Sequence, residues 1–224
     1  MTDATETHGD VKTAVVTGRH PADMRGFTRL FRALDGVDAY IQHMEDFSAD
    51  VGGVRDWYDA VVFYNMHGGS PAGDGPWYES RTRQAMERLG ATEQGVVLLH
   101  HGILAFPQWD VWAKLAGIGD RALAAYAHGR RLRIHVAAAD HPITAGLRDW
   151  EMIDETYDMA SAGDDNEILL TTDHPECMRT LAWTRTFGKA RVFCLQSGHD
   201  DQTFVDPNFR EVLRRGILWS AGRL

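Results

Sequence analysis

Cysteine is nearly missing from this 224-residue chain: the two present, Cys177 and Cys194, lie in different segments and form no CxxC step. Neither a disulfide framework nor a thiolate zinc site therefore has support. Positive charge is also scarce. With 23 Lys and Arg against 32 Asp and Glu, the net charge of −9 would repel a phosphate backbone or an anionic membrane surface. Nucleic acid and membrane partners are not expected. No stretch stays apolar for the roughly 18 residues a spanning helix needs. The opening MTDATETHGD lacks the positive start and apolar run of a secretory signal, so a cytoplasmic location is expected. Repeats, low-complexity tracts and linkers are missing as well. A chain of this length with 44% hydrophobic content is then read as one α/β domain over residues 11–224, preceded by a flexible segment over 1–10.

What is present is an alternation of buried runs and amphipathic stretches. A β-branched run over 12–17 ends at Gly18 and is followed by helical spacing over 24–34. Strands are expected over 37–43, 59–64 and 95–99, with a helix over 79–89 between the last two. Continuous apolar strands separated by helices imply a mostly parallel sheet covered on both faces. Helical stretches are expected at 109–115 and 121–128. Short strands then crowd together at 133–136, 151–159, 167–171, 181–187 and 191–196, the spacing of an antiparallel extension, before a closing helix over 208–219. The Gly-rich stretch 67–76 reads as a loop.

In open α/β sheets ligands gather outside the carboxyl ends of the strands. Histidines concentrate there: His20 after the first strand, His67 after the third, His100 and His101 after the fourth, and His199 after the last apolar run. Gly18, His67 and His100 should share one rim. For any single histidine a structural role is the commoner reading. The step Leu99-His100-His101-Gly102 occupies a strand-to-helix turn of the kind that presents one side chain at a sharp bend, and His100 should be the one exposed, with His101 turned elsewhere. His199 stands beside Asp200 and Asp201, which could orient its ring. Trp77, Tyr78, Phe106, Trp109 and Trp112 follow sheet strands and could stack on sugar faces, although Trp109 and Trp112 sit at helical spacing and read first as packing residues.

Several motifs occur in a fixed order: Leu99-His100-His101-Gly102, the run from His141 and Pro142 to Leu147, Asp154-Glu155-Thr156-Tyr157, the run from Trp183 to Phe193, Gly198-His199-Asp200, and Trp219-Ser220-Ala221-Gly222. In this order they resemble the ThuA-like family, associated with use of trehalose and related sugars, over nearly the whole chain from about Val11. The resemblance implies a flavodoxin-like three-layer sandwich related to class I glutamine amidotransferases. In those enzymes the elbow carries a Cys-x-Gly step and a later strand leads to a histidine with an acid two residues on. Here His100 takes the cysteine place, while His199 and Asp201 match the later pair. The nucleophile is missing, so glutaminase activity is not carried over.

Three chemistries remain open for such a pocket. His100, Glu155 and His199 would make a nitrogen and oxygen set suited to a divalent cation, zinc being favoured. The same groups with Asp201 could act as general acid and base without metal. The third alternative is a noncatalytic small-molecule-binding or interaction protein. His20, His67, His101, Trp109 and Asp200 are the candidate substrate contacts. The expected ligand is a trehalose-like or oxidised disaccharide, met by a lyase, hydrolase or isomerase step. No nucleotide is expected, and a homo-oligomer is compatible with this reading.

Overall fold

The computed structural model describes residues 9–71 and 77–224, the side chains of 77–80 excepted. The segment expected over residues 1–10 therefore lies largely outside the described residues, as do the second half of the Gly-rich stretch and the side chains of Trp77 and Tyr78. Nine strands form one sheet in the order β2-β1-β3-β4-β9-β8-β7-β5-β6. The elements are β1 (Val11–Gly18), α1 (Met24–Arg32), β2 (Val37–His43), α2 (Met44–Ala49), β3 (Ala60–Asn65), α3 (Trp77–Glu87), β4 (Gly95–Leu99) and α4 (Asp110–Ala116). There follow β5 (Ala125–Val136), β6 (Trp150–Asp158), β7 (Glu167–Thr171), β8 (Thr180–Phe187), β9 (Ala190–Leu195), α5 (Asp201–Phe204) and α6 (Pro207–Ser220).

The first half of the sheet is parallel. β1 pairs with β2 and β3, β3 with β4, and β4 with β9, all in one direction. Their registers place Gly18 opposite Asn65 and Leu99 opposite Leu195, so the carboxyl ends of these strands form one rim. From β9 onward every pairing is antiparallel, through β8 and β7 to the long β5–β6 ribbon.

β3 and β4 are buried along their whole length because helices cover both sheet faces. On one face Val15, Val62, Val97 and Phe193 pack with Phe27 and Leu30 of α1 and Leu213 of α6. On the other, Ala14, Val61, Val96 and Val192 pack with Met86 of α3 and Trp112 of α4. Neighbouring residues of one strand thus serve opposite cores, as the two-residue period of a strand requires. The helices start on built caps: Asp23 accepts the amides of Arg25 and Gly26, and Asp206 accepts that of Phe209 ahead of Pro207.

One expected element is corrected. Residues 121–128 are not helical; the chain is extended there and enters β5 at Ala125. The Ala- and Leu-rich run has helix propensity, but two tertiary contacts override it. Arg121 buries its guanidinium against the carbonyls of Ile103, Ala105 and Phe106. Beyond it, Ala125, Tyr126 and Ala127 pair with Asp158, Tyr157 and Thr156 of β6.

Candidate functional site

β4 runs straight into His100, whose φ of 53° lies in the left-handed region. A residue other than glycine held there signals a backbone constrained by its surroundings. The constraint is visible at Gly102, where a Cβ would stand 2.1 Å from the carbonyl oxygen of Phe63. The turn therefore presses against β3 and gives the two histidines different partners, although their rings stay 5.2 Å apart. His101 stacks between Tyr64 and His20, at 4.1 and 4.2 Å between ring centroids, and its Nε2 donates to the Tyr64 carbonyl at 3.2 Å. Burial lowers its pKa to about 2, keeping it neutral.

His100 faces the end of β9 and, contrary to the exposure expected of it, is fully buried. Its Nδ1 lies 2.7 Å from the Gln196 carbonyl at the end of β9. A carbonyl only accepts, so Nδ1 carries a proton and a neutral ring would present a bare lone pair at Nε2. That Nε2 lies 3.0 Å from Oε2 of Glu155, 3.0 Å from the Tyr157 hydroxyl and 3.4 Å from Nδ1 of His199. His199 Nδ1 in turn is 3.2 Å from the same Oε2. Glu155 reaches this point from β6, in the antiparallel ribbon.

Two further groups hold the loop after β9. Asp154, 2% exposed, accepts the backbone amides of Gly198 at 3.0 Å and His199 at 3.1 Å. The Tyr64 hydroxyl donates to the Gly198 carbonyl at 3.0 Å. Gln196 Nε2 also donates to the Glu155 carbonyl at 3.0 Å, so β6 and the loop are tied by both backbone and side chain. Burial pushes the Asp154 carboxyl up, against the pull of His100 and the backbone amides. Burial would raise Glu155 too, but hydrogen bonds from His100 and His199 outweigh it and hold this carboxyl well below the usual range. The same Glu155 contact raises His199.

His100 Nε2, His199 Nδ1 and Glu155 Oε2 thus converge, and with Nδ1 of His100 held on a carbonyl, the contact between Nε2 and Oε2 needs a proton or a cation between them. Protonated imidazoles supply the one and a metal ion the other. The donor atoms of these three residues lie within 4.8 Å of one another, a set that could hold a metal ion. Bonds of 2.0–2.1 Å in a tetrahedral site separate ligand atoms by roughly 3.3 Å, close to the spacings found here. The Nδ1–H of His100 on a backbone carbonyl is also the outer contact that fixes a ligating imidazole.

The other expected residues lie elsewhere. Asp201 pairs with Arg29 at 3.0 Å on the surface, and Asp200 caps α5 by accepting the Gln202 amide, so neither meets the His199 ring in a hydrogen bond. His67 stacks on Phe106 and its Nδ1 accepts from Asn65 at 3.0 Å; it lines a separate cavity of about 310 Å³ with Arg19 and Glu45. Trp109 is 8% exposed and packs against Phe106 in the core. The cysteines are unsuited to nucleophilic work: burial raises both thiols, Cys177 to about 11, and Cys194 is fully buried. A wider cavity of about 830 Å³, lined by Asp59, Gln94 and Leu224, opens at the amino ends of β3 and β4, away from the cluster.

Sequence reasoning missed His128, whose Nδ1 stands 3.3 Å from the second Glu155 oxygen, because a helix was expected there. The readable signal was the His128-Gly129 step, since a glycine inside a strand pattern marks a bulge. It also missed Gln196 and Tyr64, which nothing in the sequence distinguishes from ordinary core polar groups.

Known structures share this fold. Two solved structures of ThuA-like proteins superpose closely. One, from Parabacteroides merdae, has a TM-score of 0.71 at 20% identity over 95% of this chain and 90% of that one. The other, from Bacteroides uniformis, has a TM-score of 0.72 at 18% identity over 96% and 92%. A glutamine amidotransferase from Thermotoga maritima shares the fold at 12% identity and a TM-score of 0.53, over 96% of this chain and 99% of that one. No curated protein sequence matches significantly. Among the described residues no helix is long and apolar enough to cross a membrane. Residues 42–220 match the family described as ThuA, trehalose utilisation, and the chain belongs to that family.

Proposed function

We propose that this protein acts on a carbohydrate, a trehalose-like or keto-disaccharide, at the cluster of His100, Glu155 and His199, and that these three residues hold a divalent cation there. The observation that carries the reading is the convergence of three possible ligand atoms at 3.0–3.4 Å around a histidine whose other nitrogen is held on the Gln196 carbonyl. A cation so held would supply Lewis acidity for a sugar carbonyl or for water at neutral pH. Glu155 offsets its charge, and the Gln196 carbonyl keeps the His100 ring in place. Tyr157, buried beside His100, offers an O–H donor to an oxygen entering the site. The elbow that holds a cysteine in amidotransferases holds His100, so glutamine hydrolysis is not proposed. Family membership supports the sugar, and the ligand set supports the cation.

The test is metal content, measured on protein purified without chelator, together with turnover of trehalose and its keto derivatives. The same measurements are made on His100→Ala, Glu155→Ala and His199→Ala. Stoichiometric metal in the parent and its loss in the variants supports the reading. Full metal content and turnover in all three folded variants defeats it. Tight sugar binding without turnover of any derivative would instead favour a noncatalytic binding protein.

A further inference from the structure

A row of rings leads from solvent to the buried cluster. Tyr126, 60% exposed, lies 5.4 Å from the ring of His128, which lies 4.4 Å from that of His199. The His199 ring is 5.4 Å from that of His100. Tyr126 and His128 are two residues apart on β5 and share one face of the strand.

The local backbone explains why His128 points where it does. Ala127 pairs with Thr156 and Arg130 with Asp154, so His128 and Gly129 together stand opposite Glu155 alone. This is a β-bulge, with Gly129 at φ 65° absorbing the left-handed turn. Bulges re-aim side chains, and this one sets His128 Nδ1 3.3 Å from Oε1 of Glu155. At this distance the ring meets the carboxylate through Nδ1, and Nε2 is its second hydrogen-bonding nitrogen. The side chain of His128 remains 57% exposed. Two exposed rings thus stand beside a cluster whose His100 and Glu155 are buried.

We infer that Tyr126 and His128 form an outer subsite for a second sugar ring, so that the protein takes a two-ring sugar with one ring at the cluster and the other on Tyr126. The inference rests on the carbohydrate reading above. The apolar C–H face of a pyranose packs on the phenol, and a ring hydroxyl meets Nε2 of His128 in a hydrogen bond. The two ring-to-ring steps from Tyr126 to His199 span the scale of two linked six-membered rings. The bulge brings the His128 ring to the edge of Glu155 without burying it.

Trehalose and glucose are the probes, their affinities measured by calorimetry or saturation-transfer NMR alongside metal content. The expected result is that Tyr126→Ala weakens trehalose about 3- to 10-fold, the loss of one aromatic contact, and leaves glucose and metal content unchanged. His128→Gln, which keeps a hydrogen-bonding group of different reach, should fall between the parent and Tyr126→Ala. An unchanged ratio of trehalose to glucose affinity in folded Tyr126→Ala would overturn the subsite, as would no binding of either sugar to the parent. A parent that carries no metal yet binds trehalose in a Tyr126-dependent way would overturn the cation and support the subsite.

Discussion

Oε2 of Glu155 lies 3.0 Å from Nε2 of His100, although the two residues are fifty-five positions apart and come from opposite halves of the sheet. Because Nδ1 of that imidazole is held by the Gln196 carbonyl, the contact depends on a proton or a cation between Nε2 and Oε2. Glu155→Gln removes the charge and keeps the shape. It should lower metal affinity by at least the 10- to 100-fold seen when even outer contacts of a metal site are lost. Metal titration against the parent measures this, and equal affinities would count against the site.

Asp154 has a different task. Its carboxylate accepts the amides of Gly198 and His199 and so sets the height of the His199 ring. In Asp154→Asn one oxygen becomes an N–H donor facing a donor. The expected cost is about 1–3 kcal/mol of stability, with a fall in turnover and metal affinity that follows from His199 moving. Denaturant unfolding gives the first quantity; a variant as stable as the parent would show that these amides have other acceptors.

Gly102 is a steric test of the turn. The Cβ of Gly102→Ala would meet the Phe63 carbonyl oxygen at 2.1 Å, a backbone atom of a buried strand that has no room to retreat. A loss of about 1–3 kcal/mol is expected, with the His100 ring displaced. Thermal unfolding reads the loss directly.

Acid sensitivity has an assignable component at His67. Burial lowers its pKa from 6.5 to about 4. Above pH 6.5 the ring is neutral in both folded and unfolded chains and contributes no pH dependence. Between 6.5 and about 4 the unfolded chain takes up a proton that the folded one refuses, so stability falls as the pH falls; below about 4 both are protonated and the loss is complete. His67→Gln, which keeps an acceptor for Asn65, should flatten this part of the profile. Urea midpoints at pH 7 and pH 4.5 compare the two proteins, and parallel profiles would remove His67 from the account.

Thiol chemistry should be irrelevant to function. With Cys194 fully buried and Cys177 raised to about 11, alkylation of the folded protein should be slow and should leave any sugar-directed activity intact. Activity lost through modification of either thiol, with the fold preserved, would contradict this.

Much of the framework was legible in the amino-acid order. The apolar runs that became β1, β3, β4 and β9 are continuous because both their faces are buried, and that pattern survives any context. A parallel sheet then dictates one rim for their ends, which is why His100 and His199 could be paired from the sequence alone. Residues 121–128 were not legible. Their local preference is helical, and only pairing with β6 and the buried guanidinium of Arg121 makes them extended.

The composition, the parallel half of the sheet and the histidines at its rim were thus determined locally, by periodicity and by which residues end the buried runs. The tertiary structure decided the rest of the site. It brought Glu155 in from the antiparallel ribbon, assigned Asp154 to the backbone of the loop and not to the cluster, sent Asp201 to Arg29, and re-aimed His128 through a bulge. Each of these depends on register between strands distant in sequence. A shift of one residue turns a side chain to the opposite face, and no local pattern records it.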